Sequence, residues 1–168
     1  RVWADLDHGH MDTGWAARLG DNGQAYVLGV RIGKKSRTAE GESRTAVEEF
    51  TYEAFTGKKV DFGFDLYTTI PVDLDGDGIH ELVKGYFEGS GDVIDREGKI
   101  LGNIGGLSAM ASKFTSLPGE QILSYSRDGV VRIWADVNAR DNEKALSRYA
   151  NPYYRRSEEH TSELQSLL

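Results

Sequence analysis

Four carboxylates fall within nine consecutive residues of this sequence, Asp73-Leu74-Asp75-Gly76-Asp77-Gly78-Ile79-His80-Glu81, at the spacing of oxygen ligands around a single cation. Side chains at loop positions one, three and five converge on one ion, Gly78 at position six permits a sharp turn, Ile79 offers its main-chain carbonyl, and Glu81 closes the shell. Hard oxygen donors in that number suit Ca2+. Carboxylates packed this closely repel unless something neutralises them, which weighs against the plainer reading of an acidic surface turn. Position twelve of the loop is Lys84, where a helix-flanked calcium loop carries Glu, and Leu82 and Val83 are strand formers. The site is therefore expected between two strands, in a structural role ahead of a catalytic one.

A second cluster lies near the start, Asp5-Leu6-Asp7-His8-Gly9-His10-Met11-Asp12. His8 and His10 point the same way if the segment is extended. With Asp12 they could hold a transition metal or a second Ca2+, or present a general base, and a satisfied polar turn is the alternative. His10 and Asp12 are thus the candidate catalytic residues. Lys34, Lys35 and Arg37, followed by Glu40, Glu42 and Arg44, form either a solvated loop or a contact for an anionic substrate, with Lys34 and Lys35 as the substrate-binding candidates. Trp3, Trp15 and Trp134 are suited to stacking on sugar rings or to packing between sheets. The sequence contains no Gly-x-Ser-x-Gly, no Walker-type phosphate loop and no dinucleotide-binding fingerprint.

The elements that position these residues are mainly strands. Turn signals at Asp21-Asn22-Gly23, Arg96-Glu97-Gly98 and Asp128-Gly129 sit between short runs rich in Val, Ile, Leu, Tyr and Trp, and predict hairpins. Thr56-Gly57-Lys58 separates Val47–Phe55 from Val60–Tyr67, both with mostly period-two aromatic and aliphatic spacing, which predicts a further strand pair. Twenty glycines and little 3.6-residue periodicity before position 140 agree with an all-β chain. Glu81-Leu82-Val83-Lys84-Gly85-Tyr86 resembles Gln121-Ile122-Leu123-Ser124-Tyr125 at an offset of about 40 residues, the blade period of a propeller. The expected architecture is a partial β-propeller of about three to four blades, with a β-sandwich or an open meander as alternatives.

The chain has 168 residues, 39% hydrophobic and 28% charged, with a formal net charge of -7 and no cysteine. That composition fits one ordinary globular domain. It excludes a disulfide framework and a thiolate zinc site, and it argues against a nucleic-acid partner. No apolar run approaches the roughly 18 residues of a membrane-spanning helix. The sequence begins with Arg1 and reads as if entered in mid-domain. Residues 156–166, RSEEHTSELQS, match the translation of a commonly used DNA sequencing adapter, so 1–155 is taken as the partial propeller and 156–168 as a non-native tail.

On these residues the chain resembles two calcium-binding propeller groups. Asp73-Leu74-Asp75-Gly76-Asp77-Gly78 followed by Glu81-Leu82-Val83 looks like the calcium repeat of integrin-type propellers and of family 11 rhamnogalacturonan lyases. The second group is matched further: Gly9-His10-Met11-Asp12 is similar to a Gly-His-Gly-Asp segment of those lyases, and Gly119–Ile122, Gly129–Asp136 and Tyr149–Arg155 resemble their closing blade and the run after it. Met11 stands where that segment has its second glycine. The resemblance implies an eight-bladed, calcium-rich, secreted or extracytoplasmic propeller that cleaves rhamnogalacturonan I, an acidic plant polysaccharide, by β-elimination, and a monomer when complete. Neutralising the galacturonate carboxylate and removing the proton on C5 are the two tasks of that reaction. Ca2+ suits the first, and His10, with Lys34, Lys35 and Tyr149 behind it, the second. The competing expectation is a noncatalytic propeller that uses calcium for rigidity and binds carbohydrate or protein.

Overall fold

The computed structural model describes residues 3–5, 11–33, 35–38, 41–44, 47–85 and 90–154. Strands β1 (Thr13–Leu19) and β2 (Gln24–Ile32) form a hairpin around Asn22-Gly23, and β5 (Val47–Glu53) pairs with the other edge of β2. A small hairpin of β3 (Lys35–Thr38) and β4 (Gly41–Arg44) is inserted between β2 and β5. The second sheet is a four-stranded antiparallel meander, β6 (Thr69–Val72), β7 (Glu81–Lys84), β8 (Asp92–Ile94) and β9 (Ile100–Asn103). The third joins β10 (Leu107–Ser112), β11 (Gln121–Tyr125) and β12 (Val131–Trp134), also antiparallel. The chain is mostly β, as expected, and among the described residues none of its sheets closes on itself. The hairpins expected at residues 21–23, 96–98 and 128–129 are all present.

Two expectations differ from the structure. Residues 60–67 do not form a strand: beyond an isolated bridge between Tyr52 and Lys59 the segment is irregular. Its polar residues hold local turns instead. Asp61 Oδ1 accepts the Gly63 N–H at 2.8 Å, and Glu49 Oε1 accepts from Leu66 and Tyr67 at 2.8 and 2.7 Å, while Phe62 and Leu66 drop into the core. Helix α1 (Glu143–Tyr149) was not anticipated. Its cap is local: the Asn142 side chain accepts from the amides of Lys144 and Ala145, Glu143 lies in the first turn and Arg148 in the last.

Strands β7 and β8 of the second sheet are buried on both faces, because successive side chains of a strand point to opposite sides, whereas the edge strand β9 is exposed. Leu82 and Ile94 join Leu19, Val30 and Leu66 in one core, and Val72, Val83 and Val93 join Ile104 and Ile122 in another. Each such side chain, fully withdrawn from water, contributes about 1.5–3 kcal/mol. The first strands of the sheets lie side by side, β6 contacting both β1 and β10. Trp15 of β1 donates its indole N–H to Thr69 Oγ1 of β6 at 3.0 Å, and Ser108 N–H of β10 donates to Gly85 O at 2.9 Å. The 40-residue repeat is one of register as well as sequence: Val72 pairs with Glu81 at the mouth of the β6–β7 loop, and Ser112 pairs with Gln121 at the mouth of the β10–β11 loop. Among the described residues no helix is long and apolar enough to cross a membrane.

Candidate metal centre

The loop from Asp73 to His80 joins β6 to β7, so the acidic segment is flanked by strands, as its sequence required. Asp73, Asp75 and Asp77 each place a carboxylate oxygen within 4.8 Å of the others. That is about twice a calcium–oxygen distance of ~2.4 Å, the largest separation two ligands of one ion can have. Asp73 is buried, Asp77 partly so, and Asp75 exposed. The loop shapes itself through its own carboxylates. Asp73 Oδ1 accepts from Gly76 N–H and Oδ2 from Gly78 N–H, both at 3.0 Å, Asp75 Oδ1 accepts from Asp77 N–H at 3.0 Å, and Asp77 Oδ1 from Ile79 N–H at 2.7 Å. Gly78 has φ +83° and its missing Cβ would sit 2.6 Å from Lys144 Cβ, so conformation and space both demand glycine there.

Glu81 lies beside this group rather than within it. Its Oε2 accepts the Leu74 N–H at 3.0 Å. Burial pushes its carboxyl up to about 8, opposed by the Leu74 hydrogen bond and reinforced by the charges of Asp75 and Asp73. Burial likewise raises Asp73 to about 6 against the pull of the Arg148 guanidinium, and raises Asp75, with Asp77 and Asp136 adding to the repulsion. Crowded acids that resist ionising are a concentration of negative potential that a divalent cation would relieve. Asp136, which the sequence reading passed over, lines a recess of about 370 Å3 together with Asp75, Glu81 and Trp134. The donor set is carboxylate oxygen throughout, which fits a hard divalent cation.

The same loop is tied to three neighbours. On one side His80 N–H donates to Arg18 O at 2.6 Å and Arg18 N–H returns to His80 Nδ1 at 3.0 Å, joining it to β1. Burial holds that imidazole below its ordinary value, consistent with a neutral ring accepting at Nδ1. On the other side Glu120 N–H donates to Asp73 O at 2.7 Å and Glu120 Oε2 accepts Asp73 N–H at 2.8 Å, joining it to the third sheet. From below, Arg140 and Asn142 amides donate to Asp75 O and Gly76 O at 2.8 and 2.9 Å, and the Asn142 side-chain amide donates to Asp77 O. Arg148 from α1 completes the arrangement, 2.5 Å from Asp73 Oδ2 and 3.2 Å from Glu120 Oε1. None of His80, Glu120 or Arg148 carries a local sequence signal, since each acts on residues far away in the chain.

Of the other expected site residues, Asp12 is engaged by β2 rather than by this loop. Asp12 accepts the Ile32 N–H through Oδ2 at 2.7 Å and donates its own N–H to Val30 O at 2.8 Å, bracing the end of β2. His8, His10 and Lys34 lie outside the described residues, as does the tail from 155 onward, and of Lys35 only its position at the start of β3 is described. Trp3 and Trp15 are half-buried and donate to Ala54 O and Thr69 Oγ1, and Trp134, 37% exposed on β12, donates its indole N–H to Ser124 Oγ at 2.8 Å. Tyr149 stacks obliquely on Tyr154, its ring centroid 5.6 Å away. A second, larger cavity of about 680 Å3 is lined by Arg18, Asn22, His80, Lys144, Arg148 and Asn151, among others. Searches against protein-family models, curated proteins and solved structures returned no significant match to this chain.

Proposed function

We propose that this chain is a run of consecutive blades from a calcium-stabilised β-propeller, with Ca2+ held by Asp73, Asp75, Asp77, the Ile79 carbonyl and Glu81. The observation that carries this reading is the placing of three carboxylates within the span of one ion, on a loop already hydrogen-bonded to both flanking sheets and to α1. The radial arrangement is supported by the contact of β6 with the first strands of both neighbouring sheets and by the burial of β7 and β8 on both faces. The ion's role is to neutralise the loop and thereby hold neighbouring blades in place. The test is the melting temperature of the full chain titrated with Ca2+ and then with chelator. A rise that saturates and reverses supports the site, and an unchanged melting temperature rejects it.

For the protein as a whole we propose an extracytoplasmic polysaccharide lyase that cleaves rhamnogalacturonan I by β-elimination. Support comes from the motif resemblance and from the large cavity, whose lining includes the cationic Arg18 and Lys144 and so suits an acidic sugar. A bound calcium ion would supply charge neutralisation at the uronate. His10 and Asp12 are the candidates for proton removal, and Lys34 and Lys35 for holding the anionic chain. The second reading, a noncatalytic propeller that binds carbohydrate or protein, is favoured by one observation: the Asp12 carboxylate is engaged by the β2 main chain. Absorbance of the unsaturated product from rhamnogalacturonan I decides between them. A calcium-dependent rise supports the lyase, and a flat trace with a folded, calcium-responsive protein supports the binding module.

A further inference from the structure

The β6–β7 and β10–β11 loops are closed by equivalent strand pairs, Val72 with Glu81 and Ser112 with Gln121, so Asp73–His80 corresponds position by position to Lys113–Glu120. At the four acidic positions the second loop carries Lys113, Thr115, Leu117 and Gln121. None of these four positions carries a carboxylate, and the first carries an ammonium. The surrounding bonds are kept in kind. Leu117 N–H donates to Thr115 Oγ1 at 3.1 Å, as Asp77 N–H does to Asp75 Oδ1, and Gln121 Oε1 accepts the Thr115 N–H at 2.9 Å, much as Glu81 accepts that of Leu74.

The Lys113 ammonium points into its own loop. It donates to Leu117 O at 2.6 Å and Gly119 O at 3.0 Å, the carbonyls at positions five and seven, and to Asp141 Oδ2 at 2.9 Å. Asp141 in turn accepts the Gly119 N–H at 2.7 Å through its other oxygen. The pair is largely shielded, each side chain 17% exposed, and the Tyr149 ring lies 4.6 Å from Nζ. An ammonium ringed by carbonyl and carboxylate oxygens has the ligand chemistry of a bound cation.

We infer that the β10–β11 loop is a second cation pocket whose cation is built in, Lys113 Nζ standing where the β6–β7 loop takes a divalent ion. The comparison rests on the cation reading of the first loop. The two loops then brace successive sheets by the same electrostatic device, one dependent on calcium and the other not. Each loop is balanced in its own way, since Lys113 without Asp141 and the oxygens around it, or Asp73 without a cation, would be a buried charge left uncompensated.

The experiment is calcium titration and hydrogen exchange on the unaltered full chain, alongside Lys113→Met with Lys99→Met as a surface control. The inference expects one calcium equivalent for this pair of loops. It also expects chelator to expose the amides of Gly76, Gly78 and Ile79 while leaving those of Thr115, Leu117 and Gly119 protected. Lys113→Met should lower the melting temperature by about 3 °C or more, equally with calcium and with chelator. Two equivalents, chelator-induced exposure of both loops, or a Lys113→Met variant no less stable than the control would overturn it. If no calcium binds, the reading of the first loop fails, and exchange in the second loop with the Lys113→Met comparison still decides this one. Should Lys113→Met not fold, the unaltered chain's stoichiometry and exchange pattern carry the test.

Discussion

Arg148 Nη2 lies 2.5 Å from Oδ2 of Asp73, a carboxylate with no exposure to solvent, across 75 residues of sequence. The same nitrogen is 3.2 Å from Glu120 Oε1, and Tyr154 donates its hydroxyl to that oxygen at 2.9 Å. One guanidinium on a short helix therefore serves two acids from two different sheets, and the helix is held by the loop it neutralises. Asp73 is thus partly balanced before any metal arrives, whereas among the described residues Asp75, Asp77 and Glu81 form no ion pair.

Removing that guanidinium leaves Asp73 and Glu120 buried and uncompensated. Arg148→Met is expected to destabilise the metal-free protein by about 3 kcal/mol, the scale of breaking a buried ion pair from one side. In saturating calcium the loss should be smaller, because a bound ion shares the neutralisation of Asp73. Urea denaturation in chelator and in calcium measures the difference. Equal losses in both conditions would separate Arg148 from the metal site.

The carboxylate most committed to a cation by position, yet least needed for packing, is the exposed Asp75. Asp75→Ala removes one ligand and one source of repulsion at Glu81. The metal-free melting temperature should change little or rise slightly, while its increase with calcium should vanish, since stabilisation by a ligand follows its affinity for the folded state. Differential scanning calorimetry over a calcium series reads both, and a retained calcium response would place the ion elsewhere.

The acid loop itself was legible because its information is local: alternate carboxylates, two glycines and a following strand all fall within one short segment. The three hairpins were legible for the same reason, each carried by a turn containing glycine. Residues 60–67 misled because Phe62, Phe64 and Leu66 alternate like a strand, whereas Asp61 and Glu49 capture the amides that a ladder would have used. Helix α1 had a readable start in Asn142-Glu143, a capping residue and an acid in the first turn, but its seven residues are too few to show periodicity. Lys113, Glu120 and Arg148 could not be read at all, since their partners lie 4 to 75 residues away and only the stacking of sheets brings most of them together.

Stability without metal should fall with rising pH. Glu81 titrates at about 8 and Asp73 at about 6 in the folded chain, above their ordinary values of 4.5 and 3.8. A carboxyl raised on folding favours the native state while protonated, so its contribution is full below the unfolded value and is lost as pH climbs through the folded one. In chelator the melting temperature is expected to decline from about pH 4 to about pH 8, whereas calcium, which binds the ionised forms, should flatten or reverse the trend. Glu81→Gln should remove much of the decline. A metal-free profile that rises over this range would contradict the burial of these acids.

The contact between the second and third sheets is testable at Gly119, which sits in the β10–β11 loop at φ +70° with its missing Cβ 2.2 Å from Leu74 O. No side chain fits there without moving the main chain of the acid loop. Gly119→Ala also adds the cost of a left-handed conformation for an L-residue, ~1–2 kcal/mol by itself. Because Gly119 O accepts from both Lys113 Nζ and the Gln121 side-chain amide, a displaced main chain would loosen the second loop as well as the first. The variant is therefore expected to lose at least ~2 kcal/mol in urea denaturation and to bind calcium more weakly, although it touches no carboxylate. Gly129→Ala is the control: its φ is +83°, but nothing lies within 4 Å of its missing Cβ, so it should incur the conformational cost and leave calcium affinity unchanged. Equal calcium binding by the two variants would mean that the sheets do not meet at Leu74 and Gly119.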